Sequence, residues 1–456
     1  MFDSFKEECA VFGIWNHPEA SQMAYLGLYA MQHRGQESAG IVSLENGKHK
    51  HHKGLGLVGD VFSESILSQI KGQAAIGHVR YSTTGQNLIS NAQPLTAELY
   101  KGPVAIAHNG NIVNYEKLKK ELSYTGAIFQ ATSDTEILLH LISKRNNENF
   151  IQALKESVLL LEGAFSFVLL SQKKMVALRD PNGFRPLSLG KKENTYVIAS
   201  ETCAFDLIGA EFIRDIEPGE IVWFDEAGMH SEIYAKKNQL SQCVFEHVYF
   251  ARPDSKVFGK SVYESRKRLG MFLAKESGVA ADIIVPVPDS GVPAAIGYSQ
   301  ESKIPFELGI IRNHYVGRTF IQPSQSIRDF GVKIKLNPQS EVLQGKRVVV
   351  IDDSLVRGTT SKKIINLIRQ AGAKEVHMRI ASPPTVSPCY YGVDTPQKSQ
   401  LIAANYDLKT INDFIGADSL AYLSMEGLFA SMESDNQHFC AACFNEKYPT
   451  PIYQNT

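Results

Sequence analysis

The chain has 456 residues, enough for about two or three domains of ordinary size. Its 43% hydrophobic and 21% charged residues are those of a globular protein, and a formal net charge of −1 gives no electrostatic case for bulk nucleic-acid binding, though a local basic patch is compatible with it. The opening MFDSFKEE is acidic and lacks an apolar run, so it is not a secretory signal, and the most apolar window, SVLLLEGAFSFVLL, is broken by Glu162 and too short to span a bilayer. Cytoplasmic residence without a membrane or nucleic-acid partner is therefore expected, and there six cysteines point to metal or catalytic duty rather than disulfides.

The first half alternates short β-rich runs with glycine turns: CAVFGIW, AAIGHVRYS, VAIAHNGNIV, AFSFVLLS, KKMVALRD and TYVIAS. Two helical segments, EASQMAYLGLYAMQHR and SDTEILLHLISKRNN, interrupt them, which predicts an α+β layered domain of mostly antiparallel strands. The polar AKKNQLSQ, near residues 235–245, marks a change of rhythm. Beyond it ADIIVPVP precedes GVPAAIGYSQES, and KRVVVIDD precedes SKKIINLIRQAGA and then KEVHMRIAS. Strand, loop, helix, strand predicts an α/β domain with a parallel sheet. The division expected is 1–8, 9–240 and 241–456.

Cys9 lies just before the first strand-like run. By residue type alone it is a buried structural cysteine. A chain-terminal α-amine, with a pKa of about 7.7–8.0 against about 10.4 for lysine, would give its thiol a built-in general base. Cys9 acquires that amine only if residues 1–8 are removed. QHRGQES, GHVRYSTTG around Arg80, AHNGNIVN around Asn109 and Gly110, and TSDTE around Asp134 follow it in order. Together these motifs resemble the class II glutamine amidotransferase domain, an N-terminal-nucleophile αββα sandwich. The resemblance implies that Cys9 attacks the glutamine side-chain amide and forms a thioester. It assigns the oxyanion hole to the Asn109 side chain and the Gly110 N–H, and the substrate α-carboxylate and α-ammonium to Arg80 and Asp134. A structural Arg80–Asp134 ion pair is the alternative.

VVVIDDSLVRGTTS reads as a buried strand with Asp352 and Asp353 at its carboxyl end, where open α/β sheets bind ligands. Ser354 and Arg357 follow, then Gly358 for close backbone approach, and Thr359, Thr360 and Ser361 lead into a helix whose first N–H groups favour phosphate. The stretch is neither a Walker loop nor a GxGxxG fingerprint; an acid-capped strand-to-helix turn is the plainer reading. It resembles the 5-phosphoribosyl 1-diphosphate (PRPP) motif of type I phosphoribosyltransferases. By that resemblance the acids engage the ribose hydroxyls, the loop holds the 5′-phosphate, and Ser290, after VPVPD, joins Asp352 and Asp353 at one Mg²⁺. The basic IRNHYVGRTFIQPSQSIRDFGVKIKLNP is expected to close as a lid over the leaving group, with Arg318, Gln322 and Lys333 facing PRPP, or else to be a solvated loop.

Cys243, Cys389, Cys440 and Cys443 remain, the last two in HFCAACF; on spacing alone they could serve zinc, a redox pair or nothing. A glutaminase followed by a phosphoribosyltransferase, with ETCAFD, DPNGFRPL, YFARPDS, GRTFIQPSQ and a final CxxCF…KYPTPIYQ, resembles the glutamine-dependent PRPP amidotransferase family in its bacillus-type branch. The branch implies a cleaved leader over 1–8, a [4Fe–4S] cluster on those four cysteines, a homotetramer and feedback by purine nucleotides; Cys203 is left as a core thiol. The implied reaction joins glutamine nitrogen to PRPP, giving 5-phospho-β-D-ribosylamine, glutamate and diphosphate, with ammonia passed between two sites. Two rival readings fit less of the chain. A class II amidotransferase fused to sugar-isomerase domains has no place for VVVIDDSLVRGTTS, and a PRPP-sensing regulator needs a DNA-reading module that is not visible.

Overall fold

A computed structural model describes residues 9–81, 88–145, 149–236, 239–313, 336–433 and 438–453. Along Ala10–Trp15 successive side chains point to opposite faces, and both faces are buried. Phe12 and Ile14 pack under the helices Ala20–Ala30 and Cys203–Ile208, through Ala20, Ala24 and Leu28. Val11 faces the other way, toward Ala105, Val168 and Phe224 of a second sheet. That second sheet turns Val104, Ile106 and Phe167 outward onto Ile137, Leu141 and Leu154 of a further helical layer.

The result is the αββα sandwich predicted. Its first sheet runs in the order Glu211–Asp215, Ser188–Lys192, Thr195–Ala199, Ala10–Trp15, Ala74–Arg80, Ser38–Glu45, Lys48–Leu55. The second runs Gly228–Ile233, Glu220–Asp225, Met175–Arg179, Gly163–Ser171, Gly102–Ile112, Leu95–Leu99. Every pairing in both is antiparallel.

The second unit is built on four parallel strands in sequential order: Ile283–Pro286, Arg347–Asp352, Glu375–Ile380 and Ser419–Tyr422. Its central strand reads RVVVID because both faces are covered. Ile284, Val349 and Ile351 meet Leu269, Leu273 and Tyr298 of the helices Val262–Ser277 and Val292–Ser302. Val285, Val348 and Val350 meet Ile364, Ile368 and Ile415 from Thr359–Gln370 and Leu408–Ile415.

The C-terminal segment then returns to the first unit. Phe439–Cys440 pairs in parallel with Gln242–Cys243 at the start of the second unit, and across to the first the Tyr391 ring stacks on Phe184 at 4.1 Å and the Tyr453 hydroxyl donates to Glu162 at 2.8 Å. The segment bearing the cysteines thus stitches the two units together. The expected leader, 1–8, and the residues expected to act as a lid, Arg318, Gln322 and Lys333, lie outside the described residues.

Candidate active sites and a cysteine box

Cys9 stands at the start of the first strand, and its thiol donates to the Tyr81 carbonyl at 3.4 Å. Ala10 pairs with Val79, so the same register sets Cys9 beside Arg80, which is buried. Asn109 and Gly110 lie on the other sheet, near the end of Gly102–Ile112. One cross-sheet bond aligns the two: His78 Nε2 and the His108 carbonyl lie 2.9 Å apart. Two residues past His78 is Arg80; one past His108 is Asn109. Asn109 is buried, and its Nδ2 donor has no hydrogen-bond partner among the described residues. Gly110 has φ +145°, and a Cβ there would lie 2.1 Å from the Ala164 carbonyl oxygen, so only glycine fits.

Asp134 comes to this strand from the loop before Glu136–Ser143. Its carboxylate accepts the Ile112 N–H at 2.8 Å, and its other oxygen is 3.6 Å from His108 Nδ1. Burial alone would raise that carboxyl; the charge and hydrogen bond of His108, with the Ile112 and Thr135 N–H groups, hold it below the ordinary value. The structure therefore brings Cys9, Arg80, Asn109, Gly110 and Asp134 to neighbouring strand ends.

Sequence reasoning left Arg34 without a task. Its Nε donates to the Cys9 carbonyl at 3.2 Å, and its Nη1 donates to Glu201 at 2.7 Å. Burial would raise the Glu201 carboxyl, but the charges and hydrogen bonds of His33 and Arg34 hold it far below the ordinary value. Gln93, also missed, accepts the His108 N–H at 2.8 Å and donates to Thr135. The signal for Arg34 was its place in QHRGQES; Gln93 had none.

In the second unit, two loops leave adjacent parallel strands side by side. Pro286 pairs with Ile351, and the Val287 N–H donates to the Ile351 carbonyl at 2.8 Å. Ser290 is in the first loop; Asp352 and Asp353, both buried, open the second. The Asp353 N–H donates to Asp352 at 3.0 Å, and the Ser354 hydroxyl to Asp353 at 2.6 Å. Burial, then the Asp353 charge, pushes the Asp352 carboxyl well above the ordinary value, an environment that a cation would relieve. Gly358, at φ +77°, turns the chain into Thr359–Gln370, presenting Thr359, Thr360 and Ser361 at the helix N-terminus. Arg357 instead reaches Gln400 at 2.9 Å.

Cys243, Cys389, Cys440 and Cys443 line one narrow cavity of about 20 Å³, walled by Phe184, Phe245 and Tyr391. Burial pushes the Cys440 thiol up to about 12, and burial plus the nearness of Cys243, Cys389 and Cys440 drives Cys443 higher than ordinary. Among the described residues no three Cys, His, Asp or Glu side chains could hold a metal ion as they stand. The sulfurs ring a space instead, and the Tyr391 N–H donates to Cys389 Sγ at 3.2 Å, a bond suited to a thiolate ligand. Cys203 lies apart, buried in the helix layer of the first unit.

These two sites, on a sandwich and a parallel sheet, define a glutaminase joined to a phosphoribosyltransferase. Residues 78–206 match the family described as "Glutamine amidotransferase domain", and residues 269–382 the "Phosphoribosyl transferase domain". The Bacillus subtilis amidophosphoribosyltransferase is 50% identical over 455 residues, 99% of this chain and 96% of that one. A chloroplastic amidophosphoribosyltransferase of Glycine max is 53% identical over 446 residues, 97% of this chain and 78% of that one. The solved structure of the B. subtilis glutamine PRPP amidotransferase complexed with ADP and GMP matches with a TM-score of 0.94 at 49% identity, covering 98% of this chain and 99% of that one. The chain belongs to the amidophosphoribosyltransferase family. It is an enzyme that uses glutamine and PRPP in purine biosynthesis. Both rival readings fall with that match. Among the described residues no helix is long and apolar enough to cross a membrane.

Proposed function

We propose that Cys9, bared as the first residue of the mature chain, is the nucleophile that opens the glutamine amide. Its own α-amine serves as general base, and the thioester forms under the Asn109 side chain and the Gly110 N–H. The observation that carries this reading is the buried Asn109 Nδ2 with no partner among the described residues, at the strand end across from Cys9 and Arg80. A buried unpaired donor is uncommon and asks for a reason, and an oxyanion formed only in the transition state supplies one. Arg80 grips the α-carboxylate and Asp134 the α-ammonium.

Ammonia released into water would protonate and lose its nucleophilic lone pair, so the account has it pass within the enzyme to C1 of PRPP. Asp352 and Asp353 hold the ribose hydroxyls, and the turn Ser354 to Ser361 holds the 5′-phosphate at the helix N-terminus. Asp352, Asp353 and Ser290 would hold one Mg²⁺ together with substrate oxygens, supplying charge neutralisation for the departing diphosphate. Arg318, Gln322 and Lys333 are proposed as lid contacts.

Cys243, Cys389, Cys440 and Cys443 would hold a [4Fe–4S] cluster, a structural knot between the units; four sulfurs around a cavity favour this over a lone zinc ion. Purine nucleotides sharing the phosphoribosyl group are proposed as feedback ligands, in line with the ADP and GMP of the B. subtilis structure. A homotetramer in the cytoplasm completes the reading. Its test is Cys9→Ser: glutamine-driven synthesis should fall to background while ammonium-driven synthesis persists. Retention of glutamine-driven turnover would remove the nucleophile assignment.

A further inference from the structure

Glu246 belongs to the phosphoribosyltransferase half, three residues past Cys243, yet it is wholly buried against the glutaminase half. It opens a single turn of π-helix, Glu246–Phe250, an irregularity often found at functional positions. Its carboxylate meets two arginines of the other unit. Arg34 donates to both oxygens, Nη1 to Oε2 and Nη2 to Oε1, each at 2.8 Å. Arg185 donates Nη1 to Oε1 at 3.3 Å.

Each arginine leads to one side of the glutamine site. A guanidinium is a rigid plane, so fixing both Nη groups of Arg34 also fixes the direction of its Nε. That Nε holds the carbonyl of Cys9 at 3.2 Å. The carbonyl shares its Cα with the thiol and the amine, so its orientation sets where both point. Arg185 Nε donates to the Tyr391 carbonyl at 2.9 Å. The residues on either side of Tyr391 touch the other strand end: the Tyr390 carbonyl accepts Asn111 Nδ2 at 2.9 Å, and a Cβ on Gly392 would lie 3.0 Å from Gly110 Cα.

We propose that Glu246 is a positioning residue for glutamine cleavage: through Arg34 and Arg185, one carboxylate of the acceptor half sets the nucleophile against the oxyanion-hole strand. Neutralising Arg34 does not need it, since Glu201 already faces the same Nη1 at 2.7 Å. Beyond offsetting the buried Arg185 charge, Glu246 adds geometry, a single point shared by two guanidinium groups. The π turn is itself tied to the parallel-sheet unit, because Arg266 of Val262–Ser277 donates Nε to the His247 carbonyl at 3.1 Å and Nη2 to the Ala251 carbonyl at 2.7 Å. A shift of that helix would therefore reach the glutamine site through Glu246.

The inference rests on Cys9 being the nucleophile, so the experiment compares Glu246→Gln, Arg185→Gln and Cys9→Ser in the full chain. Glu246→Gln keeps the side-chain shape and loses the shared charge. Its glutamine-driven kcat should fall about tenfold to a hundredfold, the scale of a small misplacement at a reacting centre. KM for glutamine and the ammonium-driven rate should stay near those of the parent, and alkylation of Cys9 by a glutamine-like diazoketone should slow with kcat. Arg185→Gln leaves the Arg34 pair in place and should lower glutamine-driven kcat without slowing that alkylation as much; it carries the test if Glu246→Gln does not fold. An unchanged glutamine-driven kcat, or ammonium- and glutamine-driven rates falling together, overturns the proposal. Glutamine-driven turnover surviving in Cys9→Ser would instead strike at the nucleophile reading itself.

Discussion

His78 and His247 lie wholly inside the fold, and burial pushes both imidazoles from the ordinary 6.5 down to about 3. The unfolded chain takes up two protons below about 6.5 that the native state refuses, so native stability is greatest above that pH and falls as pH drops from 6.5 toward 3. Each histidine contributes a slope approaching ~1.4 kcal/mol per pH unit. Asp134, held below its ordinary 3.8, adds a loss in the same direction at still lower pH, while the raised Asp352 works the opposite way above 3.8. Denaturant unfolding between pH 7 and 5 should show this acid slope, and His78→Gln should reduce it by about one proton; an unaltered slope would show that His78 is not the group refusing the proton. At this scale Cys9, Arg80, Asn109 and Asp134 were legible because each sits in a motif whose residue types match a chemical task. Arg34 and Glu201 sit in the quoted QHRGQES and ETCAFD but with no legible task, and Glu246 sits in no motif. Arg34 and Glu246 stand 212 positions apart, and nothing local in either segment announces a partner at that distance.

At the level of elements, strands with apolar residues on both faces were readable, as in AFSFVLLS and VVVID. The edge strand Lys48–Leu55, KHKHHKGL, carried no such pattern because it is paired on one side only and its residues are exposed or half-buried, with no buried face. The helix Val262–Ser277 did carry a signal that went unused: Ser261 accepts the Glu264 N–H, the S-x-x-E capping pattern. The proposed phosphate turn depends on one backbone conformation. Gly358 has φ +77°, and a Cβ there would lie 3.1 Å from Ile402 Cδ1 and 3.3 Å from the Phe414 ring. An L-residue in that region costs about 1–2 kcal/mol before any crowding. Gly358→Ala should therefore raise KM for PRPP equally in glutamine- and ammonium-driven assays and leave KM for glutamine alone. A parent-like KM for PRPP would mean that this turn does not hold the phosphate.

For the molecule as a whole, the interface between the units combines a buried ion cluster with the buried stack of Phe184 on Tyr391. Arg34, Arg185, Glu201 and Glu246 are fully buried, and removing one partner of such a set typically costs ~3–5 kcal/mol because the rest are left uncompensated. Beside them the cysteine box reaches both units: Cys243 and Cys440 lie on paired strands of the second, and Phe184 of the first walls the cavity. Sequence spacing showed the CxxC pair but not that Cys243 and Cys389 close on it, since that depends on the return of the C-terminal segment. If the box carries the proposed cluster, the purified enzyme is brown, and Cys389→Ser is colourless with a lowered Tm; a colourless parent with stoichiometric zinc would contradict the assignment.

The proposed chemistry turns on a first residue that supplies both sulfur and base, and the intact mass of active enzyme tests it most directly. Fractions separated by processing state should carry glutamine-driven activity only where the chain begins at Cys9, whereas ammonium-driven activity should follow total protein. Full glutamine-driven activity in chains that retain Met1 would contradict it.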